Sequence, residues 1–97
     1  MEQRKARRFD LCLPFELVRG GARPLSEQGE TKNLSSSGVL FRTNAGLRVG
    51  ELVEYFITLP TAPKDGRQVR LRCVGKVVRH SEASEIAATL ERYEFIR

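Results

Sequence analysis

The chain has 97 residues, with 17 lysines and arginines against 12 aspartates and glutamates and a formal net charge of +5. Its 40% hydrophobic and 30% charged residues exclude a disordered polyelectrolyte and fit one small globular domain. No apolar run approaches the roughly 20 residues that a transmembrane helix needs, and no signal peptide is apparent, so we expect no membrane association. Two cysteines make no disulfide framework, which favours a reducing, cytoplasmic location.

The positive charge is concentrated in two segments. Residues 1–24 carry six basic and three acidic side chains, and residues 64–79 carry six basic and one acidic. If the two segments met in the fold they would form an anion site, so the charge favours an anionic partner without naming it. Arg70 and Arg72 are better explained as solvated side chains on a strand face, where charge discourages aggregation.

Strict alternation of hydrophobicity predicts a first strand at residues 9–18. Pro14 lies inside it and cannot donate to a ladder, so this strand is expected at an edge or with a bulge. Residues 25–38 are polar and are interpreted as a loop around at most a short strand. The apolar face of the first strand comprises Phe9, Leu11, Leu13, Phe15 and Leu17.

Further strands are predicted at residues 39–43 and 53–59, followed by a turn at 61–66. Alternation resumes at residue 67, and Gly75 is expected to mark a bulge in that strand. Residues 83–97 fit either a helix or a strand, and propensity alone slightly favours the helix. Several short strands punctuated by turns predict an all-β fold, a small closed or nearly closed barrel.

Signals for catalysis are nearly absent. His80 is the only histidine, and we interpret it as a solvated side chain rather than a catalytic base. Cys12 and Cys73 lack the spacing of zinc ligands and are interpreted as free thiols. No phosphate-binding glycine-rich loop occurs. We therefore expect no enzyme, no catalytic residue and no metal site.

Two short elements stand directly before predicted strands. Arg4 and Arg8 form an Arg-x-x-x-Arg element, and Asn33, Ser35 and Gly38 form an Asn-x-Ser-x-x-Gly element. Either alone is explained by a basic tail or by ordinary turn chemistry, but the pair in this order is informative. With both elements the sequence resembles the PilZ domain family, bacterial receptors for the second messenger cyclic di-GMP.

The resemblance covers essentially the whole chain. It implies a six-stranded antiparallel β-barrel at residues 9–97, with at most a short helix, preceded by a flexible basic arm at residues 1–8. Residues 51–60 and 74–79 look like later PilZ strands. Residues 86–95 look like the last barrel strand, so the resemblance replaces the helix there by a strand.

The resemblance also implies a ligand site without a cofactor. Arginine side chains fork onto phosphate or onto guanine O6 and N7 and stack on bases, which suits a dianion with two guanines. Asn33 and Ser35 would hydrogen-bond a guanine, and Gly38 would admit close backbone approach. Because Asn33 lacks the charge of the family's alternative Asp, affinity is expected to be lower. The implied ligand-binding residues are Arg4, Arg8, Asn33, Ser35 and Gly38, with Arg7 able to assist or replace Arg8.

The function that follows is a cytoplasmic sensor or adaptor. Cyclic di-GMP would draw the N-terminal arm over the site and so change contact with an unidentified protein partner. Two alternatives remain at this point. One is a small basic barrel that binds single-stranded nucleic acid, which would need exposed aromatic platforms that this sequence places mostly in the core. The other is a PilZ-type interaction module without ligand binding.

Overall fold

The computed structural model describes residues 12–44, 46–59, 69–80 and 84–96. Within these ranges the chain forms seven strands and no helix, so none is present there that is long and apolar enough to cross a membrane. The strands are β1 (Pro14–Gly20), β2 (Arg23–Leu34), β3 (Gly38–Arg42), β4 (Leu52–Thr58), β5 (Arg70–His80), β6 (Glu85–Thr89) and β7 (Arg92–Ile96).

Six of these strands close into an antiparallel barrel. They lie in the order β4-β1-β2-β3-β6-β5, and β5 pairs back with β4 to complete the ring. β7 pairs with residues 70–74 of β5 and lies outside the ring. The predicted six-stranded antiparallel barrel is therefore confirmed, with β7 as an additional strand.

The two longest strands make closure possible in so short a chain. β2 pairs with β1 through residues 23–30 and with β3 through residues 31–34. β5 likewise pairs with β4 through residues 70–76, with β7 through residues 70–74 and with β6 through residues 77–80. Each long strand thus belongs to two sheets and turns the corner between them, which is how orthogonally packed sheets are joined.

Aromatic side chains fill the centre of the barrel. Phe15 stacks on Phe41 with ring centroids 4.2 Å apart, and Tyr55 packs 5.3 Å from Phe15. The Tyr55 hydroxyl is not left without a partner, because it donates to the Thr89 carbonyl oxygen at 3.1 Å. Burial raises the pKa of Tyr55 because the phenolate would lose its hydration.

The first strand keeps the predicted face. Leu13, Phe15 and Leu17 are buried, as the alternation predicted, whereas Phe9 and Leu11 lie outside the described residues. Pro14 is the first residue of β1, a position that tolerates its missing N–H. β1 is flanked by β2 and β4, and its register shifts between Leu17 and Arg19, so the expected irregularity is a bulge and not an exposed edge.

The interpretation of residues 25–38 as a loop was wrong. Residues 23–34 form β2, the longest strand, and the polar turn is confined to residues 35–37. One face of β2 is exposed along most of its length, and the other carries side chains that are only half-buried, ending in buried Thr31. Because the inner face of β2 is only half-buried as far as Thr31, it needs few apolar residues, and its sequence lacks the alternation that marks a half-buried strand.

The position expected for a bulge in β5 was also wrong. The β4–β5 register runs unbroken past Gly75, and the register of β5 against β6 shifts instead between Val77 and Arg79. The glycine is needed for a different reason. A Cβ at Gly75 would overlap the backbone carbonyl of Thr89, which crosses this point of the strand closely.

The tail is strand, as the family resemblance implied, but it is broken into β6 and β7. Val77 pairs with Ala88, whereas Val74 pairs with Arg92. Four steps along the tail therefore match three along β5, and the extra residue makes a bulge at residues 89–91, called here the Thr89–Glu91 bulge. The helical propensity of the tail is overridden because Ile86 and Ala88 enter the core.

The Thr89–Glu91 bulge is anchored to three other parts of the barrel. Besides the bond from Tyr55 on β4, the Lys76 N–H of β5 donates to Thr89 Oγ1 at 2.9 Å. The Leu90 N–H donates to the Ser37 carbonyl oxygen in the β2–β3 turn at 3.0 Å. The bulge therefore ties two barrel strands to the turn that carries the second sequence element.

We expect Gly75→Ala to lower the free energy of unfolding by about 1–3 kcal/mol, because the added methyl group meets backbone and not a movable side chain. Urea denaturation checks this. Gly46→Ala is the matched control, since a Cβ there meets nothing within 4 Å and should leave stability nearly unchanged. Equal stabilities of the two variants would contradict the close crossing at Thr89.

The two free cysteines should differ sharply in reactivity. Cys12 is exposed, whereas burial raises the pKa of the Cys73 thiol to about 12, so almost no thiolate forms at pH 8. A colorimetric thiol reagent should label one thiol per folded chain at pH 8 and two in denaturant. Cys12→Ser should abolish the native signal, and rapid labelling of two thiols in the folded wild type would contradict the burial of Cys73.

Candidate functional site

The second sequence element folds as the hairpin between β2 and β3. Asn33 lies near the end of β2 opposite Leu40, Ser35 begins the turn, and Gly38 is the first residue of β3. The Ser35 N–H donates to the Gly38 carbonyl oxygen at 2.9 Å, which closes the hairpin. The structure therefore brings all three of these predicted site residues to one corner of the barrel.

Ser35 shapes this turn through its side chain. Its Oγ accepts from the N–H groups of Ser37 and Gly38, both at 3.2 Å. Its hydroxyl proton can be given to Ser37 Oγ at 3.3 Å or to the Gly38 carbonyl oxygen at 3.4 Å. Both lone pairs of the oxygen are thus engaged by backbone, and only the proton is left for another group.

Gly38 has a structural reason to be glycine. A Cβ at this position would lie 2.9 Å from the Ala88 carbonyl oxygen, because β3 and β6 approach each other closely there. Real Cβ atoms almost never come so close to backbone oxygen. The residue is therefore required by the barrel whether or not anything binds outside it.

Asn33 is the member of the element that is free to act outward. The β2–β3 register shifts between Thr31 and Asn33, and the next residue, Leu34, packs against the core. The half-buried Asn33 amide makes no hydrogen bond with any residue that the structure describes. It therefore presents one carbonyl oxygen and two N–H donors beside the turn.

The first sequence element, with Arg4, Arg7 and Arg8, lies outside the described residues. The point where the chain enters the barrel is described. The Leu13 N–H donates to Thr31 Oγ1, and the Thr31 N–H donates back to the Leu13 carbonyl oxygen, both at 2.9 Å. Leu13 therefore leads the chain into the barrel beside Thr31 of β2, which precedes Asn33 by two residues.

A charged cluster that the sequence did not reveal joins β2, β3 and β6. Glu85 on β6 accepts from Lys32 Nζ at 2.7 Å and from Arg42 Nη2 at 3.2 Å. The hydrogen bond from Lys32 and the second one from Arg42 lower the pKa of the Glu85 carboxyl. Two cations share this carboxylate, at the end of the β3–β6 ladder that lies away from Gly38.

Arg70 and Arg72 do not belong to this site. Arg72 is held by Glu54 at 2.6 Å and by Glu94 at 3.0 Å, and these hydrogen bonds raise its pKa. Arg70 lies over the Phe56 ring, 4.6 Å from its centroid. Their interpretation as side chains on an outer strand face therefore agrees with the structure.

An apolar groove of about 240 Å³ borders the β2–β3 turn. Sequence reasoning missed it, because its walls come from four separate parts of the chain. Two of its lining residues, Leu34 and Leu90, also pack against the buried core. The lining residues are Leu34, Ser35, Ser36, Leu71, Leu90, Tyr93 and Phe95.

Within the described ranges, no three histidine, cysteine or acidic side chains are grouped as a metal site would require. His80 is an exposed residue at the end of β5, with no catalytic arrangement around it in the part of the chain that the structure covers.

We expect Ser35→Ala to lower the free energy of unfolding of the ligand-free protein by about 1–2 kcal/mol, because two backbone N–H groups lose their acceptor. Chemical denaturation measures the difference. Ser36→Ala removes the neighbouring exposed hydroxyl and serves as the control, with little change expected. If both variants match the wild type, Ser35 does not hold the turn.

Comparison with known proteins places this geometry in a family. No curated protein sequence matches the chain significantly. Among solved structures, the Bacillus subtilis inhibitor of motility MotI/DgrA superimposes with a TM-score of 0.72 at 15% sequence identity. The match covers 97% of this chain but only 45% of that one, so the likeness concerns one domain and its fold. The PilZ domain model matches residues 2–95, and the chain belongs to the PilZ domain family.

Proposed function

We propose that this domain is a cytoplasmic receptor for cyclic di-GMP. The family is one of binding and adaptor modules, and both sequence elements typical of its ligand-binding members are present. The proposal is supported most by the hydrogen bonds between Leu13 and Thr31. They hold Leu13, the residue that follows the N-terminal segment and Cys12, against β2, the strand that carries Asn33.

The reach of the N-terminal segment is sufficient for a shared site. Arg8 precedes Cys12, the first described residue, by four positions, which allows at most about 14 Å of extended chain. Asn33 lies only two residues along β2 from Thr31, or about 7 Å. The arginine side chain adds its own length, so Arg8 can meet a ligand that also touches Asn33.

The residues of the site then divide the work. Arg4 and Arg8 supply guanidinium groups that can fork onto a phosphate or a guanine edge, with Arg7 adjacent as a further donor. The free Asn33 amide supplies a donor and an acceptor for a guanine edge. Ser35 contributes its hydroxyl proton, while its oxygen and Gly38 keep the turn in shape.

Ligand binding is proposed to act as an order–disorder switch in residues 1–8. The dianionic ligand would fix these cationic side chains over the β2–β3 turn and so create a new surface for a protein partner. Such a receptor makes and breaks no covalent bond.

Isothermal titration calorimetry with cyclic di-GMP tests the proposal. We expect saturable binding that Arg8→Ala weakens by about 1.5–3 kcal/mol, because a hydrogen bond to a charged group is lost. Asn33→Asp should strengthen binding by about 1 kcal/mol, since a carboxylate accepts more strongly from guanine N–H groups. Arg48→Ala is the matched control, because this exposed arginine belongs to neither sequence element.

GMP and cyclic GMP serve as ligand controls and should bind far more weakly, since each carries one guanine and one phosphate. Absence of any saturable heat with cyclic di-GMP would contradict the proposal and favour a PilZ module without ligand binding. Binding of a single-stranded oligonucleotide with a steep salt dependence would favour the nucleic-acid alternative.

A further inference from the structure

β7 is an edge strand in the described part of the molecule. It pairs with β5 along one side, and none of the other described strands pairs with its second side. Such an edge offers unpaired N–H and C=O groups to any strand that can align with it, and natural proteins cover or disrupt such edges. Here the strand carries no proline, and its residues are Arg92, Tyr93, Glu94, Phe95 and Ile96.

The hydrogen-bond pattern shows which groups of β7 point outward. The Leu59 N–H donates to the Val69 carbonyl oxygen in continuation of the β4–β5 register, so odd-numbered residues of β5 point to β4. Even-numbered residues of β5 therefore point to β7, and the Glu91 N–H donates to Val74 in agreement. Their partners at 92, 94 and 96 are thus satisfied, and the backbone groups of Tyr93 and Phe95 point away from the barrel.

The same two residues expose their side chains. Tyr93 is 59% exposed and Phe95 is 57% exposed, and their rings meet edge to face with centroids 6.2 Å apart. Both line the apolar groove beside the β2–β3 turn. Outward backbone groups and exposed aromatic rings thus coincide on one short strand, a combination typical of a strand that pairs with another strand.

The other face of β7 is charged in a self-complementary way. Arg92 makes no ion pair with any described residue. Glu94 uses Oε1 to bind Arg72, which leaves Oε2 available. In a copy paired antiparallel with Glu94 opposite Glu94, the Arg92 of each strand lies diagonally beside the Glu94 of the other, within reach of a long side chain.

We propose that β7 is a homodimerisation edge, on which the β7 strand of a second copy pairs antiparallel across a two-fold axis at Glu94. In this register Tyr93 of each copy pairs with Phe95 of the other, so all four outward N–H and all four outward C=O groups find partners. Two cross-strand aromatic pairs form on one face. On the other face, the two Glu94 carboxylates lie opposite each other, and their repulsion is offset by four guanidinium groups, from Arg72 and Arg92 of both copies.

A register centred on Tyr93 is the main competitor, because it places Arg92 directly opposite Glu94, but it satisfies fewer outward backbone N–H and C=O groups. It would place Phe95 opposite Glu91, whose N–H is already used by Val74. It would also lose both tyrosine–phenylalanine pairs. The interface centred on Glu94 is isologous and closes on itself, so it predicts a dimer and no larger assembly. The proposal does not depend on ligand binding at the β2–β3 turn.

Sedimentation of the full chain from micromolar to millimolar concentration tests the dimer, since an interface this small is expected to be transient. The weight-average mass should rise toward twice the 11.0 kDa of one chain. Phe95→Lys should raise the dissociation constant by about tenfold, because both aromatic pairs are lost and charges are placed on the edge. A mass that stays at one chain throughout would overturn the proposal.

Disulfide trapping tests the register, in a Cys12→Ser background that removes the exposed native thiol. Glu94→Cys places two thiols on the axis at a non-hydrogen-bonded pair, with Cα atoms about 4.5 Å apart, within disulfide range. Tyr93→Cys places them diagonally, about 7–8 Å apart, beyond that range. Oxidation should therefore give a covalent dimer from Glu94→Cys and none from Tyr93→Cys. The reverse pattern, or no covalent dimer from either variant, would overturn this interface.

Discussion

The close crossing of Gly75 and Thr89 is the contact on which the rest of the barrel depends. At this point β5 passes from its pairing with β7 to its pairing with β6, and only a glycine leaves room for the crossing backbone. The extra residue of the Thr89–Glu91 bulge is accommodated here, with hydrogen bonds from Tyr55 and Lys76. Without this bulge, β6 could not pair with β3 in the ring while β7 pairs with residues 70–74 of β5 outside it.

The candidate site is built on the same framework. Gly38 meets β6 one residue from Thr89, and the Asn-x-Ser-x-x-Gly element is thus partly a requirement of the barrel itself. Ser35 and Gly38 are explained by the shape of the turn, whereas Asn33 has no such explanation. In a PilZ domain of this geometry, the asparagine and the preceding arginines therefore carry more information about ligand binding than the serine and glycine do.

Much of the fold could be predicted from hydrophobic alternation. It located β1, β4 and β5 and separated their buried from their exposed faces, because these strands bury one side in a single core, whereas β3 was located as a short apolar segment. It failed for β2, whose exposed face and half-buried face give almost no contrast. For the tail, local propensity favoured a helix, and only the long-range burial of Ile86 and Ala88 decides for strand.

The candidate site could be predicted from the sequence where its residues are close together along the chain, and not where they are far apart. Asn33, Ser35 and Gly38 lie within six positions and are residue types that a tight turn prefers, so a turn could be predicted there. Lys32 and Arg42 reach Glu85 across 53 and 43 positions, and no sequence pattern links them. The apolar groove is hidden for the same reason, since strand pairing alone brings its walls together.

The single bond from the Leu90 amide to the Ser37 carbonyl has a mechanical consequence. It joins the β2–β3 turn to the residues just before β7, so a shift of either one would strain the other. A protein bound to the outer side of β7 would therefore be coupled to the conformation of the hairpin through one hydrogen bond, and the coupling would not need to pass through the aromatic core. Recognition and readout need not be far apart in so small a domain.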